Sequence, residues 1–141
     1  MAQINFYNLR QESEGDRALF ACRLTEKALS LGHRVCLFAG SEARAREVDS
    51  LLWSFSPTSF IPHDILLGDR PSAERVCIAA ETLPKGCGDV VINLSSDALA
   101  EFDHIARVNE IIIQEPSALE QARARFRHYQ QAGTRPEMIK L

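Results

Sequence analysis

A chain of 141 residues with 45% hydrophobic and 25% charged side chains has the make-up of one ordinary globular domain, numbered 1–141. It carries enough apolar material for a real core, so disorder is excluded and no disulfide framework is needed. A net charge of −3 argues against a general nucleic-acid binder, no apolar run approaches the ~18 residues of a membrane span, and Met1 to Leu9 lacks a signal-peptide pattern, so a cytoplasmic protein is expected.

Residues 3–9, QINFYNL, alternate polar and apolar as a half-buried strand does. Residues 17–31 follow as a helix, with a stripe at Phe20, Leu24, Ala28 and Leu31. Ser13 with Asp16 forms an N-terminal capping signal, and Gly32 is a natural stop. The continuous apolar run 34–39, RVCLFA, predicts a strand covered on both faces, as in a parallel sheet. Gly40 and Ser41 lead into a helix over 42–53, with Ala45, Val48, Leu51 and Leu52 facing inward. Pro57, Pro62, Gly68 and Pro71 then forbid a long helix, and a short strand is expected around Ser59–Pro62. Residues 75–80 and 89–94 read as strands joined by a turn at Lys85, Gly86, Cys87 and Gly88. A short helix is expected over 96–103, and a buried strand ends in Ile111, Ile112 and Ile113. The last helix covers 116–132 and stops at Gly133. Strands alternating with helices predict a three-layer α/β domain, a mostly parallel sheet with helices on both faces.

Such a fold invites a nucleotide, but the motifs that would hold one are missing. The first strand is followed by Arg10, Gln11, Glu12, Ser13, Glu14, Gly15 and Asp16. Three carboxylates there repel phosphate, where a GxGxxG turn would cradle it with backbone N–H groups. The Gly86–Gly88 pair precedes a strand, and Lys85-Gly86 reverses the order a P-loop needs. The fold is thus Rossmann-like without a phosphate-binding loop, and a nucleotide-binding enzyme of unknown substrate is the weaker alternative. His33, His63, His104 and His128 form no HExxH, and no Gly-x-Ser-x-Gly elbow exists. His63, before Asp64 in a proline-bounded loop, reads as a hydrogen-bonded structural histidine rather than a tuned acid or base. Cys22, Cys36, Cys77 and Cys87 show no CxxC pair and read as small buried hydrophobes. No catalytic residue, metal ligand or cofactor is expected.

Two places stand out. Trp53, Phe55, Phe60, Ile61, Ile65, Leu66 and Leu67 crowd a segment broken by prolines. Either this segment folds back onto the sheet or part of it offers an apolar patch to a partner. The second place is the last helix. Residues 118–141 hold Arg123, Arg125, Arg127, Arg135 and Lys140 against Glu120 and Glu137, a net +3 that leaves −6 on the rest. Leu119, Ala122, Phe126 and Tyr129 make one apolar stripe, with Arg123 and Arg127 a turn apart beside it. An arginine pair beside a ring can hold a carboxylate while an apolar pocket takes a side chain. The competing reading makes the rings core residues and the arginines a solvated face.

These two places also carry a family resemblance that runs the length of the chain. Phe6-Tyr7-x-Leu9, Gly32-His33-Arg34-Val35, Asp49-x-x-Leu52-Trp53, Ser59-Phe60-Ile61-Pro62-His63 and Ala122-Arg123-x-Arg125-Phe126-Arg127-x-Tyr129 occur in the order found in the chi subunits of bacterial DNA polymerase III. The chain resembles that family. The resemblance implies a non-catalytic adaptor of the clamp loader in the cytoplasmic, nucleoid-associated replisome. It would bind the psi subunit, and the acidic C-terminal tail of single-stranded-DNA-binding protein (SSB). It also implies pairing with a helicase through the psi surface, with DNA met only indirectly and no membrane contact. Carried over by position, Arg123, Phe126 and Ile112 would serve the SSB tail with Arg127 assisting, and Trp53 and Phe60 would serve psi and helicase. Leu119 stands where some members have a basic residue, and Phe126 where a tyrosine is often found.

Overall fold

The protein's structure is a computed structural model that describes residues 2–68, 72, 74–84 and 89–141. Its elements run β1 (Gln3–Asn8), α1 (Glu14–Ser30), β2 (Val35–Phe38), α2 (Glu42–Ser54), β3 (Asp64–Leu66), β4 (Val76–Ala79), β5 (Val90–Asn93), β6 (Arg107–Ile112), α3 (Pro116–Gln131) and β7 (Glu137–Lys140). The seven strands form one sheet in the order β3-β4-β2-β5-β6-β1-β7, and every pairing is parallel. The predicted α/β architecture is therefore observed, with a sheet that is parallel throughout.

Strand β2 shows why its sequence is apolar without alternation. Val35 and Leu37 enter the core under α1 and α2, whereas Cys36 faces the core under α3 with Phe38 packed at its margin. Both faces are covered, so neither can be polar. The α1–α2 core takes Val48, Leu52, Ile78, Ile92 and Ile111. The α3 core takes Phe6, Val91, Phe102, Ile105, Val108 and Tyr129. Each helix begins where a side chain satisfies its free N–H groups. Ser13 accepts from Asp16 N at 3.1 Å, Ser41 from Arg44 N at 3.2 Å, and Glu115 from Ser117 N and Ala118 N, ahead of Pro116. No described helix is long and apolar enough to cross a membrane.

Four expectations need correction. Leu31 does not join the inward stripe of α1: Phe20, Leu24 and Ala28 pack half-buried against the core beside the buried Arg17, Ala21, Cys22 and Thr25, whereas Leu31 caps the end of the helix and is 66% exposed. Arg17 tolerates burial because its Nε donates to Ile111 O at 3.1 Å and its Nη1 to Leu94 O at 3.1 Å. The strand expected at Ser59–Pro62 lies instead at Asp64–Leu66, past a proline that has no N–H for a ladder. The helix expected over 96–103 does not form. Asn93 Oδ1 accepts from Ser95 N, Asn93 Nδ2 donates to Asp97 O, and the one Ser95 hydroxyl proton faces Asn93 Oδ1 at 2.6 Å and Asp97 O at 2.9 Å; these short-range contacts hold an irregular turn in place of a helix. Finally, Glu137–Lys140 adds an edge strand that the sequence reading did not anticipate. The expected turn at 85–88, with Cys87, lies outside the described residues. Cys22, Cys36 and Cys77 are buried and form no disulfide, and burial pushes the Cys22 thiol up to about 12.

A candidate peptide pocket on the last helix

The stripe of α3 that includes Leu119, Ala122, Arg123, Phe126 and Arg127 lies over the end of the sheet where β6, β1 and β7 adjoin. Together with Asn8, Ile112 and Met138 these residues enclose a hollow of about 380 Å³. Its lining is mostly apolar. Ile112 and Ala122 are buried, Leu119 and Phe126 are half-buried, and Phe126 rests on Phe6 with ring centroids 5.1 Å apart. The helical period explains the arrangement: positions 119, 123, 126 and 127 share one flank, so both arginines border the hollow. Neither has an ion pair or a side-chain hydrogen bond among the described residues. No carboxylate among the described residues lines the hollow. Apolar walls and two uncommitted guanidinium groups fit an apolar side chain next to an anion.

The structure thus brings together Arg123, Phe126, Ile112 and Arg127, the four residues named from the sequence for the tail site. It adds Met138 and Asn8, which sequence reasoning missed. Asn8 ends a strand whose neighbours could not be known, and EMIK is too short to show a period.

What holds α3 in place is also visible. Arg125 does not belong to the exposed basic face that composition suggested; it is 4% exposed. Its Nε donates to Glu110 Oε1 at 2.9 Å, and its Nη1 to Ser96 O at 3.2 Å. Glu110 is fully buried and also accepts from Tyr129 Oη at 2.6 Å and Asn93 Nδ2 at 2.8 Å. Tyr129 Oη accepts in turn from Leu99 N at 3.1 Å. Burial pushes the Glu110 carboxyl above the ordinary carboxylate range, with the Arg125 charge and the bonds from Tyr129 and Asn93 opposing it. Burial also raises the Tyr129 phenol, and the neighbouring Glu110 charge raises it further. Every polar atom of this buried cluster has a partner, so the network locks helix to sheet.

The second place is on the opposite side of the sheet, at the end of α2. Part of the segment folds back onto the sheet and part of it stays exposed. Ile61 and Leu66 are buried, whereas Trp53 is 46% and Phe60 76% exposed. The two rings lie 5.4 Å apart, and the His63 ring lies 4.3 Å from Trp53. Asp49 Oδ1 faces His63 Nε2 at 2.8 Å, and Ile61 O faces His63 Nδ1 at 2.7 Å. Both ring nitrogens are thus engaged. His63 is therefore a hydrogen-bonded structural residue, and it fastens the proline-bounded segment to α2.

A second and larger hollow, about 840 Å³, opens at the carboxyl ends of β2, β4, β5 and β6, where α/β folds hold nucleotides. Here Gly40 has φ +92°, and a Cβ on it would come within 2.8 Å of Ser95 Cβ, so the β2–α2 turn abuts the β5–β6 loop. Glu14, Glu81, Asp97 and Glu101 line this hollow. Its arginines are committed: Arg17 and Arg44 both donate to Leu94 O, and Arg125 to Glu110 and Ser96. That charge pattern does not suit phosphate. Among the described residues no three His, Cys, Asp or Glu side chains gather as metal ligands would.

Comparison with solved structures reflects the fold. The chain superposes on the C-terminal domain of the DEAD-box protein Dbp5 with a TM-score of 0.61 at 14% identity, covering 97% of this chain and 90% of that one. It matches S. cerevisiae Dbp5 bound to RNA and ADP BeF3 with a TM-score of 0.66 at 11% identity, covering 97% of this chain and 41% of that one. Sequence comparison goes further. A DNA polymerase III subunit chi from Pseudomonas aeruginosa is 34% identical over 133 residues, covering 94% of this chain and 92% of the relative. One from Haemophilus influenzae is 26% identical over 133 residues, covering 91% and 90%. The family model described as "DNA polymerase III chi subunit, HolC" matches residues 1–137, and the chain belongs to that family of DNA replication proteins.

Proposed function

We propose that this chi-family chain is a non-catalytic adaptor that links the clamp loader, through psi, to the acidic C-terminal tail of SSB. The observation that carries this reading is the apolar hollow bordered by Arg123 and Arg127, neither of which has a counter-charge among the described residues. The terminal side chain of the tail enters between Ile112, Ala122 and Phe126. Arg123 pairs with the terminal carboxylate, and Arg127 with an acidic side chain before it. Phe126 supplies ring contact but donates no hydrogen bond. Leu119 adds wall in place of charge. Ordering a flexible tail costs free energy, so each contact is weak, and the many tails on a coated strand raise its effective concentration. The exposed Trp53–Phe60 pair serves psi, and a helicase through the same surface.

The test is a fluorescence titration of a tail peptide ending in phenylalanine. Arg123→Glu is expected to weaken binding by about a hundredfold or more, since it removes a charge-assisted contact and adds a repulsion. The melting temperature should not change. Unaltered affinity overturns the assignment. The nucleotide-binding alternative predicts a rise in melting temperature with millimolar ATP or NAD, because a ligand specific to the folded state stabilises it.

A further inference from the structure

We infer that the acidic tail also adds to the sheet as an eighth strand, along the open edge of β7. This rests on the tail-binding reading above and extends it from the terminal residue to the peptide backbone. Strand β7 pairs with β1 on one side only, and no described strand covers the other. Leu141 N donates to Asn8 O at 3.3 Å. Backbone direction alternates along a strand, so Glu137, Ile139 and Leu141 address β1 while Met138 and Lys140 direct their N–H and C=O groups outward. Side chains alternate likewise. Met138 pairs with Phe6 and Lys140 with Asn8, so both lie on the sheet face that carries α3.

Met138, 46% exposed, is therefore at once part of the hollow and part of the free edge. A peptide whose last side chain fills the hollow has the unpaired backbone of Met138 and Lys140 directly beside it. Lys140 is exposed and has no ion pair among the described residues. Lys140 pairs with Asn8, which lines the hollow, so together with Arg123 and Arg127 it makes the hollow and the adjoining edge cationic, which commits the occupant to an anionic extended peptide. Glu137 lies on the opposite sheet face and does not oppose it. Main-chain pairing supplies affinity that is independent of sequence, and the hollow and the cationic edge supply selection.

The experiment uses the whole chain and a short acidic peptide ending in phenylalanine with a free carboxylate. Amide exchange at Met138 and Lys140 should slow by about tenfold or more on binding, the equivalent of roughly 1.4 kcal/mol. Methylating alternate peptide nitrogens should weaken binding by about fivefold per lost bond in one phase and leave it unchanged in the other. Lys140→Gln should weaken the acidic peptide by about threefold and leave an uncharged peptide with the same ending unaffected. If every methylated peptide binds fully and exchange at Met138 and Lys140 is unchanged, while Arg123→Glu still abolishes binding, strand addition is overturned and the pocket stands. If the peptide does not bind at all, both fall.

Discussion

The hollow beneath α3 and the aromatic patch beyond α2 occupy opposite sides of one sheet, and they are built on contrary plans. In the hollow the rings are sunk and the charges are free. Phe126 packs on Phe6, while Arg123 and Arg127 face solvent without counter-ions among the described residues. On the patch the polar groups are engaged and the rings are free. His63 is hydrogen-bonded to Asp49 and to Ile61 O, and Trp53 with Phe60 stands exposed beside it. A free guanidinium beside an apolar cleft selects an anionic partner and lets salt regulate it. A raised aromatic pair over a hydrogen-bonded histidine selects by shape and by apolar area. On the assignments proposed above, the two contacts would respond differently to salt.

Three experiments probe that contrast. Trp53→Ala is expected to weaken psi binding by at least about thirtyfold, as removal of an anchoring aromatic does, while the tail peptide binds as before. Isothermal titration of both partners checks it, and equal losses for both would break the division. Tyr129→Phe strips a partner from Glu110 and from Leu99 N at once, leaving buried groups unsatisfied at a cost of about 1–3 kcal/mol. Thermal melting should show the loss. Tail affinity should fall less than with Arg123→Glu, because the helix loosens without losing its charge. The smallest effect is expected from salt. Raising ionic strength from about 0.1 M to 1 M shortens the screening length from about 10 Å to 3 Å, and should weaken the tail several-fold while leaving psi nearly unchanged.

The residues that sequence reasoning read correctly are those whose information is local. The apolar runs around Val35, Val76, Val90 and Ile111 name buried strands, because a strand covered on both faces admits no polar alternation. Ser13 and Gly32 bracket the first helix because free N–H groups and a left-handed stop demand such residues. Arg123, Phe126 and Arg127 share a flank for the same reason, the helical period.

Other features depend on residues that only folding brings together. Whether Arg125 was solvent face or core turned on Glu110, fifteen positions away on a strand. Whether Trp53 was core or surface turned on His63 reaching back to Asp49. Met138 and Asn8, far apart in the chain, became two walls of one hollow through the β1–β7 pairing. A chain's own order thus determined the long helices and the apolar inner strands, because capping and periodicity act over a few residues, and its ordered motifs carried the family resemblance. The covered faces, the cancelled charges and the open sheet edge were decided by tertiary structure, because burial and ion pairing are set by neighbours in space.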